Sequence, residues 1–231
     1  MEEIHPRPGD QAPPGCPVSR QGSGRINPSM MDRYSNFAEL SRHEQDGLDF
    51  TILFRHRDSR FAIIAPHGGG VEPGTMDIAD ALAGSDFSFY AFKGNKKTGN
   101  KVLHLTSNRF DEPVGLSIAG NAAIVVSVHG TRDQNDTILI GGRNDELKQR
   151  MLEALRAAGF TAEISETTGL RGQDPANVCN RCTSGAGVQL EIARGLREKM
   201  FDHLGHRPVR QRTHIFYDFV ASIRAVLSLW R

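Results

Sequence analysis

The sequence has few cysteines, no excess of either charge and no long apolar run. Three cysteines in 231 residues are too few for a disulfide framework. A net charge of +1 gives no electrostatic basis for nucleic acid or an acidic membrane as a partner. No apolar run is long enough to cross a bilayer, and the start, MEEIHPRPGDQAPP, lacks the apolar segment of a secretory signal. We therefore expect a globular monomer that is cytoplasmic as synthesised.

Two of the cysteines form a CxxC pair. Cys179 and Cys182 lie in CNRC, whereas Cys16 lies in a Pro/Gly-rich N-terminal segment. A CxxC pair can be half of a zinc site or a redox pair. No second CxxC and no pair of histidines lies nearby to complete a zinc site. We therefore favour neither a metal role nor a redox role for these cysteines.

The N-terminal segment differs in composition from the rest of the chain. It is rich in Pro, Gly, Arg and Ser and shows no periodicity, which is typical of disorder. The remaining sequence has no internal repeat and no further break in composition. We predict a disordered leader over residues 1–30 and a single domain over residues 31–231.

Within that domain, short apolar runs alternate with amphipathic segments. DFTILFRHR and RFAIIAP, joined by Asp58-Ser59, predict a β-hairpin. Further strands are predicted at FSFYAFKG, KVLHLTS, AAIVVSVHG, DTILIGG, FTAEIS and AGVQLEIA, and helices at PGTMDIADALAG, NDELKQRMLEALRAAG and THIFYDFVASIRAVLSLW. Because strands alternate with helices and several strands are almost entirely apolar, the pattern predicts an α/β fold whose sheet is covered on both faces.

Two predicted strands end in a histidine followed by a glycine. His67 follows FAIIAP, and His129 follows AAIVVSV. Ligands of open α/β sheets bind beyond the carboxyl ends of the strands, so the two histidines can face one crevice if their strands are parallel neighbours. Each can equally be an ordinary hydrogen-bonding residue.

Glu72 follows His67 across three glycines. On a helix, residues five apart point about 140° away from each other, so the two side chains converge only if Gly68–Gly70 folds back as a tight loop. The alternative is an ordinary turn, with Glu72 decorating the first turn of the next helix. That alternative does not explain the two strand-end histidines. Two imidazoles and one carboxylate match the ligands of a catalytic zinc site with an open fourth position.

Glu191 is the candidate general base that such a site needs. In GVQLEIARG, a strand places Val188, Leu190 and Ile192 on one face, and Gln189 and Glu191 on the other. A carboxylate in so apolar a strand needs an explanation, because burying it unpaired is costly. The alternatives are a partly exposed strand with a polar outer face, or a salt bridge to Arg194 or Arg197.

The segment DPANVCNRCTSG carries further polar residues just before this strand. Asn177, Asn180 and Arg181 are available there, and an arginine fork can bind a carboxylate in a bidentate pair while asparagine adds a donor. The alternative is a surface loop with an incidental arginine.

Long motifs along the chain match one known family. They are AIIAPHGGGVEPGTMDIA, LHLTSNRFDEP, VSVHG, ILIGGRN and NVCNRCTSGAGVQLEIARGLR. In these segments and in their order, the chain resembles the poly-γ-glutamate hydrolase family of bacteriophages and bacteria over about residues 32–230. The resemblance implies a zinc-carboxypeptidase-like fold, with a mixed, twisted sheet flanked by helices. It also implies a zinc enzyme that cuts the γ-glutamyl amide bonds of an anionic polymer or peptide.

The resemblance also implies roles for individual residues. One Zn²⁺ ion would be bound by His67, Glu72 and His129, and Glu191 would be the general base. Arg181, with Asn180, resembles the Asn-Arg pair with which carboxypeptidases hold a substrate carboxylate. A polymer with a free carboxylate on every residue calls for a local cationic cleft. Candidates to line it are Arg181, Arg194, Lys93, Lys96 and Lys97.

The chain departs from the family pattern at a few positions. Met76 and Asp77 replace the usual Ser and Glu, Lys93 stands where an acid is usual, and Cys182 replaces a common glycine. None is a proposed metal ligand, but Lys93 can change substrate preference. Two other functions stay open: a zinc amidohydrolase acting on another γ-glutamyl or N-acyl amino-acid substrate, and a non-catalytic binding module. If the gene is carried by a phage, the protein would be released by lysis.

Overall fold

The computed structural model describes residues 32–230, so the predicted leader and Cys16 lie outside the described residues. Within residues 32–230 the strands are β1 (Phe50–Arg55), β2 (Phe61–Gly69), β3 (Ser88–Gly94), β4 (Ile124–Gly130), β5 (Ile138–Gly142), β6 (Ala162–Ile164), β7 (Val188–Ile192), β8 (Phe201–Asp202) and β9 (Gln211–Arg212). The helices are α1 (Phe37–His43), α2 (Thr75–Ala83), α3 (Pro113–Gly120), α4 (Asp145–Ala157), α5 (Arg194–Met200) and α6 (His214–Leu229).

Seven of these strands form one mixed sheet, in the order β1-β3-β2-β4-β7-β5-β6. The four inner strands β3, β2, β4 and β7 are parallel. β1 runs antiparallel to β3 and β5 antiparallel to β7, while β6 is parallel to β5. The predicted α/β class is therefore confirmed, with a mixed sheet. Because β2, β4 and β7 are parallel neighbours, their carboxyl ends meet at one edge.

Both faces of the sheet are covered by apolar side chains. One cluster joins the sheet to α2, α4, α5 and α6, and the other joins it to α1 and α3. Helical residues in the first cluster include Ile78, Leu147, Leu196 and Phe219, and those in the second include Leu40 and Ile118. Each such side chain contributes about 1.5–3 kcal/mol by leaving water. The predicted cover of helices on both faces is confirmed.

The predicted hairpin between the first two strands is wrong. β1 pairs with β3, with Phe50 opposite Gly94, whereas β2 lies between β3 and β4. Every residue of β2 is buried, so this strand needs a neighbour on each side. β1 instead lies at the edge, where Phe54 is 59% exposed. Because β2 is buried on both sides, it pairs with β3 and β4, and the short link at Asp58-Ser59 does not form a hairpin.

The predicted strand at KVLHLTS is also wrong. Asn100–Leu103 forms a short 3-10 helix, followed by an irregular segment. Leu103 and Leu105 are buried in the cluster that contains α1 and α3. The alternation of apolar and polar residues therefore reflects a loop packed on the sheet.

Helices α3 and α5 are among those that the sequence analysis did not predict. In α3, Pro113 occupies the start, and the Glu112 carboxylate accepts the amide hydrogens of Val114 and Gly115 at 3.1 and 2.7 Å. α5 follows β7 directly and has no side-chain cap. Across residues 32–230, no helix combines the length and the apolar composition that a bilayer span requires.

Candidate metal centre

His67 reaches the site through an irregularity in β2. Opposite β3, Ala65 pairs with Ala91 but Gly68 pairs with Lys93, so β2 contains one extra residue. Strict alternation would place His67 on the face of Ile63 and Ala65. The bulge instead brings its ring against the segment that contains Leu105, whose carbonyl oxygen lies 2.8 Å from His67 Nε2.

The glycines after His67 fold back as a tight loop. The Glu72 amide donates to the His67 carbonyl at 2.8 Å, and the Gly70 amide donates to the Gly94 carbonyl at 3.0 Å. Gly69 has a φ of +67°, and a Cβ atom there would lie 2.5 Å from the Gly94 oxygen. Only glycine fits this conformation and this contact. The loop places Glu72 Oε1 3.2 Å from His67 Nδ1, the convergence that the sequence pattern requires.

His129 completes a compact group of three side chains. It ends β4, and its Nδ1 lies 3.1 Å from His67 Nδ1 and 3.9 Å from Glu72 Oε2. Because His67 Nε2 donates to a carbonyl, Nδ1 is the nitrogen of His67 that is free to bind a ligand. The Gly130 amide donates to Glu72 Oε2 at 2.8 Å and fixes the carboxylate.

These spacings fit a tetrahedral cation site. Two ligands at about 2.0 Å from one zinc ion stand about 3.3 Å apart. The two Nδ1 atoms are 3.1 Å apart, His67 Nδ1 is 3.2 Å from Glu72 Oε1, and His129 Nδ1 is 3.9 Å from the other carboxylate oxygen, Oε2. The Leu105 carbonyl on the far nitrogen of His67 is the kind of partner that orients a metal-binding imidazole. The spacing and the donor types of His67, Glu72 and His129 therefore fit what a bound zinc ion would require.

The charges in the group match what a cation needs. Burial and the adjacent His67 lower the pKa of His129 to about 3, so its imidazole is neutral. Burial opposes ionisation of Glu72, but His67 outweighs it and lowers the pKa of Glu72 to about 2. Burial likewise disfavours a charged His67, yet the Glu72 carboxylate raises its pKa on balance. A metal ion would replace this proton between the two side chains.

His104 is a site residue that the sequence analysis missed. Its ring stacks on His67 with centroids 4.1 Å apart, and its Nδ1 donates to Asp32 Oδ1 at 2.7 Å. His67, Glu72 and His104 each offer one ligand atom, and these three atoms lie within 4.8 Å of one another. His104 is therefore an alternative third ligand. His129 Nδ1 lies 3.1 Å from His67 Nδ1, so His129 stays the proposed third ligand and His104 the alternative. The signal for His104 was its place in the motif LHLTSNRFDEP, which the strand prediction obscured.

Glu191 lies beside this group. It is the ladder partner of His129 on the neighbouring parallel strand. It is only 7% exposed, and Gln189 Nε2 donates to its Oε1 at 2.9 Å. Burial and the charge of Glu72 raise the pKa of Glu191, while Arg197 and Gln189 act in the opposite direction. A buried carboxylate with a raised pKa next to two metal-type ligands has the properties of a general base.

Arg197 is a second residue whose part in the site was missed. It is 3% exposed, and its guanidinium donates to the carbonyls of Ile192, Thr131 and Pro73 at 3.1, 2.5 and 2.6 Å. These carbonyls follow closely after Glu191, His129 and Glu72 in the sequence. One buried side chain thus connects the three segments that carry Glu191, His129 and Glu72. It makes no hydrogen bond to Glu191, and Arg194 pairs with Glu198, so the salt bridge to Glu191 that the sequence left open is not formed.

The residues predicted to bind substrate differ in burial: Asn180 is buried, whereas Arg181 and Arg194 are partly exposed. Asn180 is buried and donates to the carbonyls of Gly172 and Asp174 at 2.7 and 2.8 Å, while its Oδ1 accepts the Gly187 amide at 3.2 Å. Its polar atoms therefore hold the loop.

Arg181 and Arg194 are more accessible. Arg181 is half-buried and donates through Nε and Nη1 to the carbonyls of Ala176 and Phe110. Arg194 pairs with Glu198 at 2.7 Å and is 41% exposed in its side chain. Both keep part of the guanidinium available to a ligand.

The three candidate lysines also differ. Lys96 is paired with Glu44 and Asp49 at 2.5 and 3.0 Å. Lys97 is exposed. Lys93 lies beside the glycine loop that follows His67, because a Cβ atom at Gly69 would lie 2.9 Å from Lys93 Cγ. Among residues 32–230, neither Lys93 nor Lys97 forms an ion pair, so both remain candidates for an anionic ligand.

Comparison with known sequences gives consistent matches. The profile of a family described as poly-gamma-glutamate hydrolase matches residues 34–222. The SPbeta prophage-derived UPF0714 protein YoqZ of Bacillus subtilis (strain 168) is 38% identical over 200 residues, which cover 85% of this chain and 72% of YoqZ. UPF0714 protein YndL of the same strain is 36% identical over 191 residues, covering 81% and 75%.

Solved structures match over nearly their full length. A bacteriophage poly-gamma-glutamate hydrolase is 32% identical with a TM-score of 0.81, covering 86% of this chain and 97% of that chain. A structure of YndL described as zinc-free is 34% identical with a TM-score of 0.81, covering 86% and 98%.

Proposed function

The chain belongs to the poly-gamma-glutamate hydrolase family, whose profile matches residues 34–222, and on this premise we propose that it is a zinc-dependent hydrolase of γ-glutamyl amide bonds. Membership of the family makes it a hydrolase. Poly-γ-glutamate is the proposed substrate, and one zinc ion is the proposed cofactor. The zinc-free description of the relative YndL supports zinc as the metal.

One observation carries the proposal. The Glu72 carboxylate lies 3.2 Å from His67 Nδ1 through Oε1 and 3.9 Å from His129 Nδ1 through Oε2, the two Nδ1 atoms are 3.1 Å apart, and Glu191 lies on the strand next to His129. When bound there, zinc would polarise the scissile carbonyl and make a water more acidic. A binding module would need the three ligands but not a buried carboxylate beside them.

The protein side chains divide the remaining work. Glu191 accepts a proton from the attacking water and passes it to the leaving amide nitrogen. Burial and the charge of Glu72 raise the pKa of Glu191, which favours the protonated form that donates to the leaving nitrogen. Glu72 stays a carboxylate and is held by the Gly130 amide. Arg197 keeps the three segments in register.

The substrate contacts follow from the charge of the polymer. Each γ-linked residue carries a free α-carboxylate, which an arginine fork binds best. We place Arg181, Arg194 and Lys93 along the path of the polymer, with Asn180 holding the loop that presents Arg181. Lys97 is exposed and can act at longer range. The predictions of a monomer and of a cytoplasmic protein released by lysis stay predictions.

The decisive experiment incubates the protein with poly-γ-glutamate, with and without a chelator, and sizes the products. We expect shortened polymer, complete loss of cleavage with chelator, and recovery when zinc is restored. The matched control is Glu191→Gln, which should bind zinc like the wild type and cleave at least roughly 100-fold more slowly, the usual scale of general-base catalysis.

Other results would point elsewhere. Release of one small acid from N-acyl amino acids, with intact polymer, would favour the amidohydrolase alternative. No stoichiometric zinc, or wild-type cleavage by Glu191→Gln, would refute the mechanism.

A further inference from the structure

The general base stands at the end of a chain of buried amides. Asn177 Nδ2 donates to Gln189 Oε1 at 2.9 Å, and Gln189 Nε2 donates to Glu191 Oε1 at 2.9 Å. Asn177 is 6% exposed and Gln189 2% exposed, so water does not substitute for either contact. Among residues 32–230, Gln189 is the one hydrogen-bond donor to the Glu191 carboxylate.

The direction of this chain is fixed by the backbone. The Cys179 amide donates to Asn177 Oδ1 at 3.0 Å. A backbone N–H can only donate, so Asn177 must present its oxygen to Cys179 and its NH₂ group to Gln189. Gln189 must then present its oxygen to Asn177 and its NH₂ group to Glu191. A single backbone amide thereby determines which end of each side-chain amide faces the base.

The positions of Asn177 and Gln189 explain how these two amide side chains can support Glu191. Gln189 is the ladder partner of Ser127, two residues before the point where His129 pairs with Glu191. Asn177 caps the short 3-10 helix Val178–Asn180, and so belongs to the segment NVCNRC. That segment has no place among the proposed metal ligands, and its cysteines are buried free thiols.

We propose that Asn177 and Gln189 are positioning residues for Glu191, and that they hold its carboxylate ready to accept the proton of the attacking water. This inference rests on the proposed function. The donor from Gln189 fixes one carboxylate oxygen, which leaves the other free to meet the water. Neither Asn177 nor Gln189 contacts His67, Glu72 or His129 through a hydrogen bond, so zinc binding is independent of the chain.

The test depends on the direction of these hydrogen bonds. In Asn177→Asp the shape is kept, but the carboxylate cannot donate, so Gln189 turns its NH₂ group toward residue 177 and its oxygen toward Glu191. We expect kcat on poly-γ-glutamate to fall roughly 10- to 100-fold, the scale of one hydrogen bond to a charged group. KM and the zinc affinity measured by calorimetry should stay within about twofold, because ligands and substrate contacts are untouched.

A matched control makes the same chemical change elsewhere. Asn36 caps α1 through Oδ1, and Asn36→Asp retains that acceptor, so its kcat should equal that of the wild type. Gln189→Leu is the second variant, in case Asn177→Asp does not fold. It removes the donor to Glu191 and should show the same loss in kcat with unchanged zinc affinity.

The outcomes separate this inference from the proposed function. Wild-type kcat in a folded Asn177→Asp or Gln189→Leu protein would overturn the positioning role while leaving the hydrolase intact. A parallel loss of zinc affinity would also overturn it, since the effect would then be general damage to the site. Failure of the wild type to bind zinc, or activity of Glu191→Gln, would instead refute the proposed function.

Discussion

The Arg197 guanidinium lies directly over Gly130, so that a Cβ atom at residue 130 would stand 2.5 Å from Arg197 Cζ. Gly130 follows His129, and its amide holds Glu72 Oε2. Its lack of a side chain therefore permits the close approach of the buried cation next to the amide that holds the carboxylate. The glycine after His129 at the end of β4 thus has a packing reason.

Gly130→Ala should weaken the metal site. The added methyl group must displace a guanidinium that holds three carbonyls, and such overpacking costs about 1–3 kcal/mol. We expect stability to fall by about that amount and zinc affinity to fall roughly tenfold, in urea unfolding and calorimetry. Gly120→Ala is the control, because its Cβ atom would meet nothing closer than 3.9 Å. Equal zinc binding by both variants would contradict the role given to Arg197.

The identity of the third metal ligand can be decided by two alanine variants. His129→Ala should abolish measurable zinc binding, because it removes a nitrogen 3.1 Å from His67 Nδ1. His104→Ala removes a stacked ring that is held by Asp32, and should weaken binding by at most roughly 10- to 100-fold. Calorimetric titration of both with zinc is the measurement. The reverse ranking would show that His67, Glu72 and His104 are the ligands.

Asp32 should contribute pH-dependent stability. Its carboxylate accepts hydrogen bonds from His104, the Thr106 amide and Arg109, each at 2.7 Å. Burial acts to raise the pKa of Asp32, but the bonds from His104 and Thr106 outweigh it and lower the pKa from 3.8 to about 2. The folded state therefore binds this proton less readily than the unfolded chain. The resulting stabilisation is fully present above pH 4 and is lost as the pH falls through 2.

Asp32→Asn tests this linkage in zinc-free protein. At pH 7 we expect its free energy of unfolding to be about 2 kcal/mol below that of the wild type, from the shift in pKa. The difference should shrink as urea unfolding is repeated between pH 4 and pH 2. A difference that stays constant with pH would mean that the lost stability comes from neutral contacts alone.

Asn180 and Arg181 should separate into a scaffold residue and a substrate residue. Asn180→Ala leaves the buried Gly172 carbonyl and the buried Gly187 amide without their side-chain partner, and each costs about 1–3 kcal/mol. Its melting temperature should drop sharply. Arg181→Lys should leave the melting temperature nearly unchanged and raise KM for poly-γ-glutamate by roughly tenfold, because a lysine cannot form the bidentate pair. Unchanged KM in Arg181→Lys would remove Arg181 from the substrate path.

Several parts of the molecule could be read from short stretches of sequence. His67 and His129 end apolar strands, and Glu72 follows three glycines, so their convergence depends on local chemistry and on the parallel order of β2, β4 and β7. The buried acid Glu191 was visible because its neighbours Leu190 and Ile192 are apolar. The α/β class followed from the alternation of strands and helices. In each case the pattern lies within a few residues, where period and residue type carry the information.

Other parts were decided by the tertiary structure alone. The edge position of β1, the pair of Asp32 with His104 and the carbonyl contacts of Arg197 join residues that lie up to 124 positions apart. A charged residue such as Arg197 looks in the sequence like any helix surface residue, because its burial depends on which carbonyls the fold brings to it. The amide chain from Asn177 to Glu191 is likewise invisible until β7 packs on the preceding loop. The sequence by itself determined which chemical groups are available at the strand ends. The fold decided which of them are held in place, because long-range packing and buried hydrogen bonds set orientation.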